Sequence, residues 1–69
     1  MKISYDPKYD ILYLSLREAD KVLCKEVNED ITVDMDAQGR LVGIEILSAS
    51  EHVDLGLLLP VEIRKEALR

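Results

Sequence analysis

Sixty-nine residues hold one domain and exclude a second, since a core needs roughly 50 residues and most domains hold about 100 to 150. With 48% hydrophobic and 33% charged residues, three glycines and two prolines, the composition is that of a folded domain and excludes a disordered tail or a low-complexity linker. Nine basic residues against fourteen acids give a net charge of -5. The basic side chains form no stripe and Phe and Trp are absent, which argues against nucleic acid as a partner, because phosphate binding needs clustered cations and base stacking needs aromatic platforms.

Period-two alternation dominates the first two thirds of the chain and predicts a sheet. Lys2 to Tyr5 alternates Ile3 and Tyr5 with polar neighbours and stops at Asp6-Pro7, a turn-forming pair. Ile11 to Arg17 puts Leu12, Leu14 and Leu16 on one face, the expected core side. After the polar connection Glu18 to Lys21, Val22 to Val27 reads as a weaker strand. Asp30 to Asp36 alternates again, with Ile31, Val33 and Met35 inward and Thr32, Asp34 and Asp36 outward. Leu41 to Leu47 repeats the pattern through Val42, Ile44 and Ile46. Gly39 suits the positive φ of the loop between these two strands, which are therefore expected to be antiparallel neighbours.

The period changes after Leu47. Ser48-Ala49-Ser50-Glu51 spells a capping box, in which the Ser48 hydroxyl would accept from the Glu51 amide and the Glu51 carboxylate would reach back. A short helix is expected there, stopped by Gly56, with a last helical turn opening at Pro60. An edge strand over residues 57–63 competes with that last turn. The expected fold is α+β, a small antiparallel meander of four to five strands over 1–47, with a mainly helical segment over 48–69.

Four groups of residues invite a chemical reading. Asp34, Asp36 and Glu45 fall at calcium-loop spacing with Gly39 between them, but they lie between strand-type runs rather than helices. A turn is the favoured reading and a weak metal site the alternative. His52 has Ser48, Ser50 and Asp54 nearby, but only Ser48 shares a helical face with it and no independent acid orients the ring, so a solvated helix histidine is expected. Asp6 and Asp10 flank the first turn and are expected to form Asx turns rather than a catalytic carboxylate pair. Cys24 is read as inert, the alternative being a thiol activated by Lys21 or Lys25. Its solitude excludes an intramolecular disulfide and a multi-cysteine zinc site, and fits a reducing compartment. Tyr5, Tyr9 and Tyr13 crowd the first hairpin, where they would cover one sheet face.

Ile3-Ser4-Tyr5-Asp6-Pro7 followed by Asp10-Ile11-Leu12-Tyr13-Leu14, and Asp34-Met35-Asp36 through Gly39 to Val42-Gly43-Ile44-Glu45-Ile46-Leu47-Ser48-Ala49-Ser50, resemble domain-of-unknown-function family 2283, small and mostly prokaryotic proteins. The resemblance covers roughly residues 1 to 50. It departs at Ile11, where the family often has a small residue. It implies an antiparallel sheet with a helix, no established activity and no catalytic residues. The matching positions read as structure: Asp6-Pro7 a turn, Gly43 a bulge or close approach, Ser48 a cap. Members are often encoded beside another small protein, an arrangement similar to toxin and antitoxin pairs.

A core this small rarely supplies more than about 3 to 5 kcal/mol, so self-association, with a dimer favoured, is expected. The interface is expected at an exposed sheet edge or at Leu55, Leu57, Leu58 and Leu59, with Tyr13 a further candidate. The expected function is a non-enzymatic interaction module without cofactor. Its alternatives are an acidic antitoxin-like partner of a small basic RNase-type toxin and a weak metal-dependent or carboxylate enzyme. With an acid and a proline near the start and an apolar run, Leu55 to Val61, far short of the roughly 20 residues that span a bilayer, the expected location is the cytoplasm, off the membrane.

Overall fold

The computed structural model describes residues 1–57. The expected turn at Pro60, most of the 57–63 alternative, and Leu58 and Leu59 lie outside the described residues.

Among the described residues five strands form one antiparallel sheet: β1 Lys2–Asp6, β2 Ile11–Ser15, β3 Leu23–Glu26, β4 Ile31–Met35 and β5 Leu41–Ile46. β2 to β5 lie within the strand-type runs of the sequence, trimmed by up to two residues at an end, and β1 runs one residue past Tyr5 to Asp6. Their order is β1-β2-β5-β4-β3. Two hairpin units, β1-β2 and β3-β4-β5, are thus joined through the β2-β5 pairing. β5, the longest strand, takes the centre, and β1 and β3 are the edges. After β5 come one turn of helix, α1 Ala49–His52, and a 3₁₀ turn, Leu55–Leu57. The helix expected to run from Ser48 to a stop at Gly56 ends at His52, and Gly56 sits inside the 3₁₀ turn rather than ending a helix. Among the described residues no helix is long and apolar enough to cross a membrane.

The register separates the two sides of the sheet, because directly paired residues share a face. One side carries the rows Ile3-Leu14-Ile44-Val33 and Tyr5-Leu12-Ile46-Ile31. The other carries Ser4-Tyr13-Glu45-Thr32 and Lys2-Ser15-Gly43-Asp34-Cys24. Tyr5 and Tyr13 therefore lie on opposite sides and Tyr9 in the turn, so the three tyrosines do not cover one face as expected. A bulge between β4 and β5 leaves Val42 as the extra residue, buried at the end of the sheet.

Ala49 of α1, fully buried, packs with Leu12 and Ile46 as the centre of the core, ringed by Ile3, Leu14, Ile31, Ile44, Val53 and Leu55. A methyl side chain at Ala49 lets the helical turn sit close on the sheet. Burying Leu12, which is 1% exposed, contributes about 1.5–3 kcal/mol.

Candidate functional site

Two aspartates clasp α1 to the sheet, and neither contact is local in sequence. Asp10 ends the β1-β2 turn at a φ of 56°, a left-handed conformation that Asp tolerates better than most residues. From there its carbonyl accepts from the Ala49 amide at 2.9 Å. Its carboxylate accepts from the Ser50 amide at 3.1 Å (Oδ1), the Ser50 hydroxyl at 2.7 Å (Oδ2) and the Tyr5 phenol at 2.8 Å (Oδ1). Asp6 alone makes the expected Asx turn, accepting from the Lys8 amide at 2.9 Å; Asp10 instead serves the helix.

The capping box predicted at Ser48 does not form. Ser48 has a φ of 51° and its side chain makes no cap bond, because a side-chain cap requires an extended residue at that position. The Glu51 amide donates to the Ser48 carbonyl instead, at 3.0 Å, and Asp10 supplies the missing acceptor. The Ser50 hydroxyl, followed by the Tyr5 phenol, holds the Asp10 carboxyl below its ordinary range, and the same phenol bond pushes the Tyr5 hydroxyl up.

The second clasp pairs His52 Nε2 with Asp30 Oδ2 at 2.8 Å, while the Asp30 carbonyl accepts from the Leu47 amide at 2.8 Å. Asp30 is the orienting acid that the sequence reading found lacking beside His52. It sits in the β3-β4 turn, whose Asn28 side chain accepts from the Asp30 and Ile31 amides. The triad reading gains nothing from it: Ser50 donates its hydroxyl to Asp10, and no hydroxyl among the described residues bonds His52.

On the polar side of the sheet, Tyr13 reaches across Gly43 and donates its phenol to Asp34 Oδ2 at 3.0 Å. Gly43 is needed for this approach, since a Cβ there would run into the Tyr13 ring end and the Leu14 carbonyl. Cys24 stands directly across from Asp34 and is exposed. Asp34, by hydrogen bonding and by its charge, pushes both the Cys24 thiol and the Tyr13 phenol above their ordinary values. The neighbour that sets the thiol is an acid, not Lys21 or Lys25, and it opposes a thiolate.

Asp36 was expected to face solvent but is 5% exposed. It builds the β4-β5 turn from inside: its carboxylate accepts from the Gln38 amide at 2.9 Å, the Arg40 amide at 2.8 Å and Arg40 Nε at 2.7 Å. Burial pushes the Asp36 carboxyl up, and the Arg40 and Gln38 donors outweigh it, leaving it below the ordinary range. Gly39 takes a φ of 80° in this turn, as its position in the sequence implied. Of the three metal candidates, Asp34 is held by Tyr13, Asp36 by its turn, and Glu45 lies between Tyr13 and Thr32. No group of three or more His, Cys, Asp or Glu converges among the described residues. Leu55 packs on the core, Leu57 is 80% exposed, and Tyr13 is half-buried.

A family model described as "Protein of unknown function (DUF2283)" matches residues 2–50. The chain belongs to the DUF2283 family. No curated protein and no solved structure matches it. The DUF2283 match runs from the start of β1 to Ser50, the residue whose amide and hydroxyl close on Asp10. The contacts that sequence reasoning missed, Asp10 with Ser50 and Asp30 with His52, join residues 40 and 22 positions apart. The only hint in the sequence was that Asp10 and Ser50 both belong to the stretches that carry the DUF2283 resemblance.

Proposed function

We propose that this chain is a non-enzymatic protein-interaction module that associates with a second copy of itself. The observation that carries this reading is how little of the apolar side is closed. Among the described residues only Leu12, Val42, Ile46 and Ala49 are buried hydrophobics. Leu14, Val33, Met35 and Ile44 are half-buried, and Leu23 and Leu41, at the far end of the sheet, are 63% and 41% exposed. Among the described residues one helical turn covers one end of a five-stranded sheet and leaves apolar surface of the kind that marks an interface. The polar groups support the same reading, because the carboxylates of Asp6, Asp10, Asp36 and Asp54 each accept a backbone amide and so act as turn and cap formers. Size-exclusion chromatography with light scattering tests the proposal: a dimer is expected, and a monomer over a wide concentration range overturns it.

The charge favours a second reading, an acidic partner for a small basic RNase-type protein. Glu26, Asp34 and Glu45 share the polar side of the sheet, and the net charge of -5 would steer a basic protein toward it. Asp34→Lys with Glu45→Lys would then weaken a salt-sensitive complex. Binding unaffected by both salt and the double change would remove this reading.

A further inference from the structure

We propose that two copies join through the outer edge of β1, antiparallel about a two-fold axis at Ser4, so that two five-stranded sheets become one of ten strands. This rests on the self-association read above and names the surface and register that make it. β1 has no sheet neighbour on its outer side among the described residues, and all of its residues except Ile3 are exposed. An edge of this kind offers unpaired amides and carbonyls to another strand.

Symmetry restricts the registers. A two-fold axis perpendicular to the sheet keeps the apolar sides of both copies together, and it sets opposite each other only residues of the same face. Centred on Ser4, the strand Lys2-Ile3-Ser4-Tyr5-Asp6 matches its own reverse: Ser4 meets Ser4, Ile3 meets Tyr5, and Lys2 meets Asp6. Ile3 and Tyr5 belong to the apolar side, beside Leu14 and Leu12, so the pairing covers Tyr5, which is 40% exposed. Lys2 and Asp6 belong to the polar side, where opposite charges face each other across the joint. Asp6 uses only Oδ1 for its two turn bonds. The Ile3–Tyr5 and Lys2–Asp6 contacts each occur twice, and both kinds, apolar and opposite-charge, are the cross-strand pairs that stabilise sheets.

Neighbouring registers lose this match. Centring on Ile3 sets Lys2 against Ser4 and loses the Lys2–Asp6 pair, centring on Lys2 sets Lys2 on itself, and centring on Tyr5 sets Ile3 on Pro7, which has no amide to donate. The other free edge, β3, is less self-complementary. Centring on Lys25 or Glu26 opposes like charges, and centring on Cys24 sets Lys25 against Leu23. Charge complementarity therefore selects β1 and a second copy as its occupant.

Disulfide trapping tests the register in the full chain. Ser4→Cys in a Cys24→Ser background, treated with oxidised glutathione, should give a covalent dimer at least about tenfold faster than the unaltered chain does through Cys24, because opposed strand residues lie about 4.5–5.5 Å apart at Cα, within disulfide range. Lys2→Glu should raise the dimer dissociation constant about tenfold, while Lys25→Glu leaves it unchanged. A light-scattering dimer that crosslinks through Cys24 and not through Ser4→Cys overturns the β1 joint and leaves self-association standing. A monomer at every concentration overturns both.

Discussion

Gly43 shows how one missing side chain sets a whole face. It allows Tyr13 to lie across β5 and reach Asp34. Gly43→Ala should cost about 1–3 kcal/mol, the usual scale of overpacking, measured by chemical denaturation, and shortening the neighbour with Tyr13→Val should recover part of it. The sequence marked Gly43 as a bulge or close approach but could not say to what, since Tyr13 arrives from a strand 30 residues away whose pairing with β5 no local pattern encodes. Asp36 was misplaced for a related reason. Alternation put it on the outward side, yet β4 ends at Met35 and the chain turns inward so that its carboxylate can hold the loop. Cys24 carries a second residue-scale prediction. With Asp34 opposing its ionisation, fewer thiolates exist at neutral pH, so iodoacetamide should alkylate it more slowly than a free cysteine. Asp34→Asn should speed the reaction, and equal rates in the two proteins would remove Asp34 as the cause.

At the scale of elements, α1 exists because of a residue forty positions before it. A single helical turn is too short to be stable alone, and its first amides are held by Asp10 while His52 is held by Asp30. The sequence spelled a local device, the Ser48 and Glu51 box, and the structure uses a tertiary one in its place. The two accounts differ in outcome. Asp10→Ala should lower Tm by about 5 °C, the scale of a lost cap in a small domain, and Ser48→Ala should leave it nearly unchanged. A larger loss at Ser48 than at Asp10, in thermal melts followed by circular dichroism, would restore the capping box. Strands fared better than the helix in the sequence because their period-two signal is local. β1, β2, β4 and β5 were all legible within two residues at either end, whereas the placement of β5 between β2 and β4 depends on pairings between distant segments.

For the whole molecule, the same aspartates make stability depend on acid. Asp10 and Asp36 both have carboxyls held below the ordinary range in the folded protein, so the unfolded chain binds protons more readily than the folded one near and below pH 4. The sign follows: their contribution is complete above the unfolded value of about 4, and it is lost as pH falls through the lower folded values. Denaturation midpoints should therefore hold steady from neutral pH to about pH 5 and drop steeply toward pH 3. Asp36→Asn should flatten that drop while lowering stability at pH 7, because the neutral amide keeps an acceptor for the turn amides but loses the charge that faces Arg40. The two positions tie different parts of the fold, the β4-β5 turn and the α1 clasp, and share no partner, so Asp10→Asn and Asp36→Asn should flatten the curve additively. A double variant that retains the full acid drop would place the titrating groups elsewhere in this acidic chain.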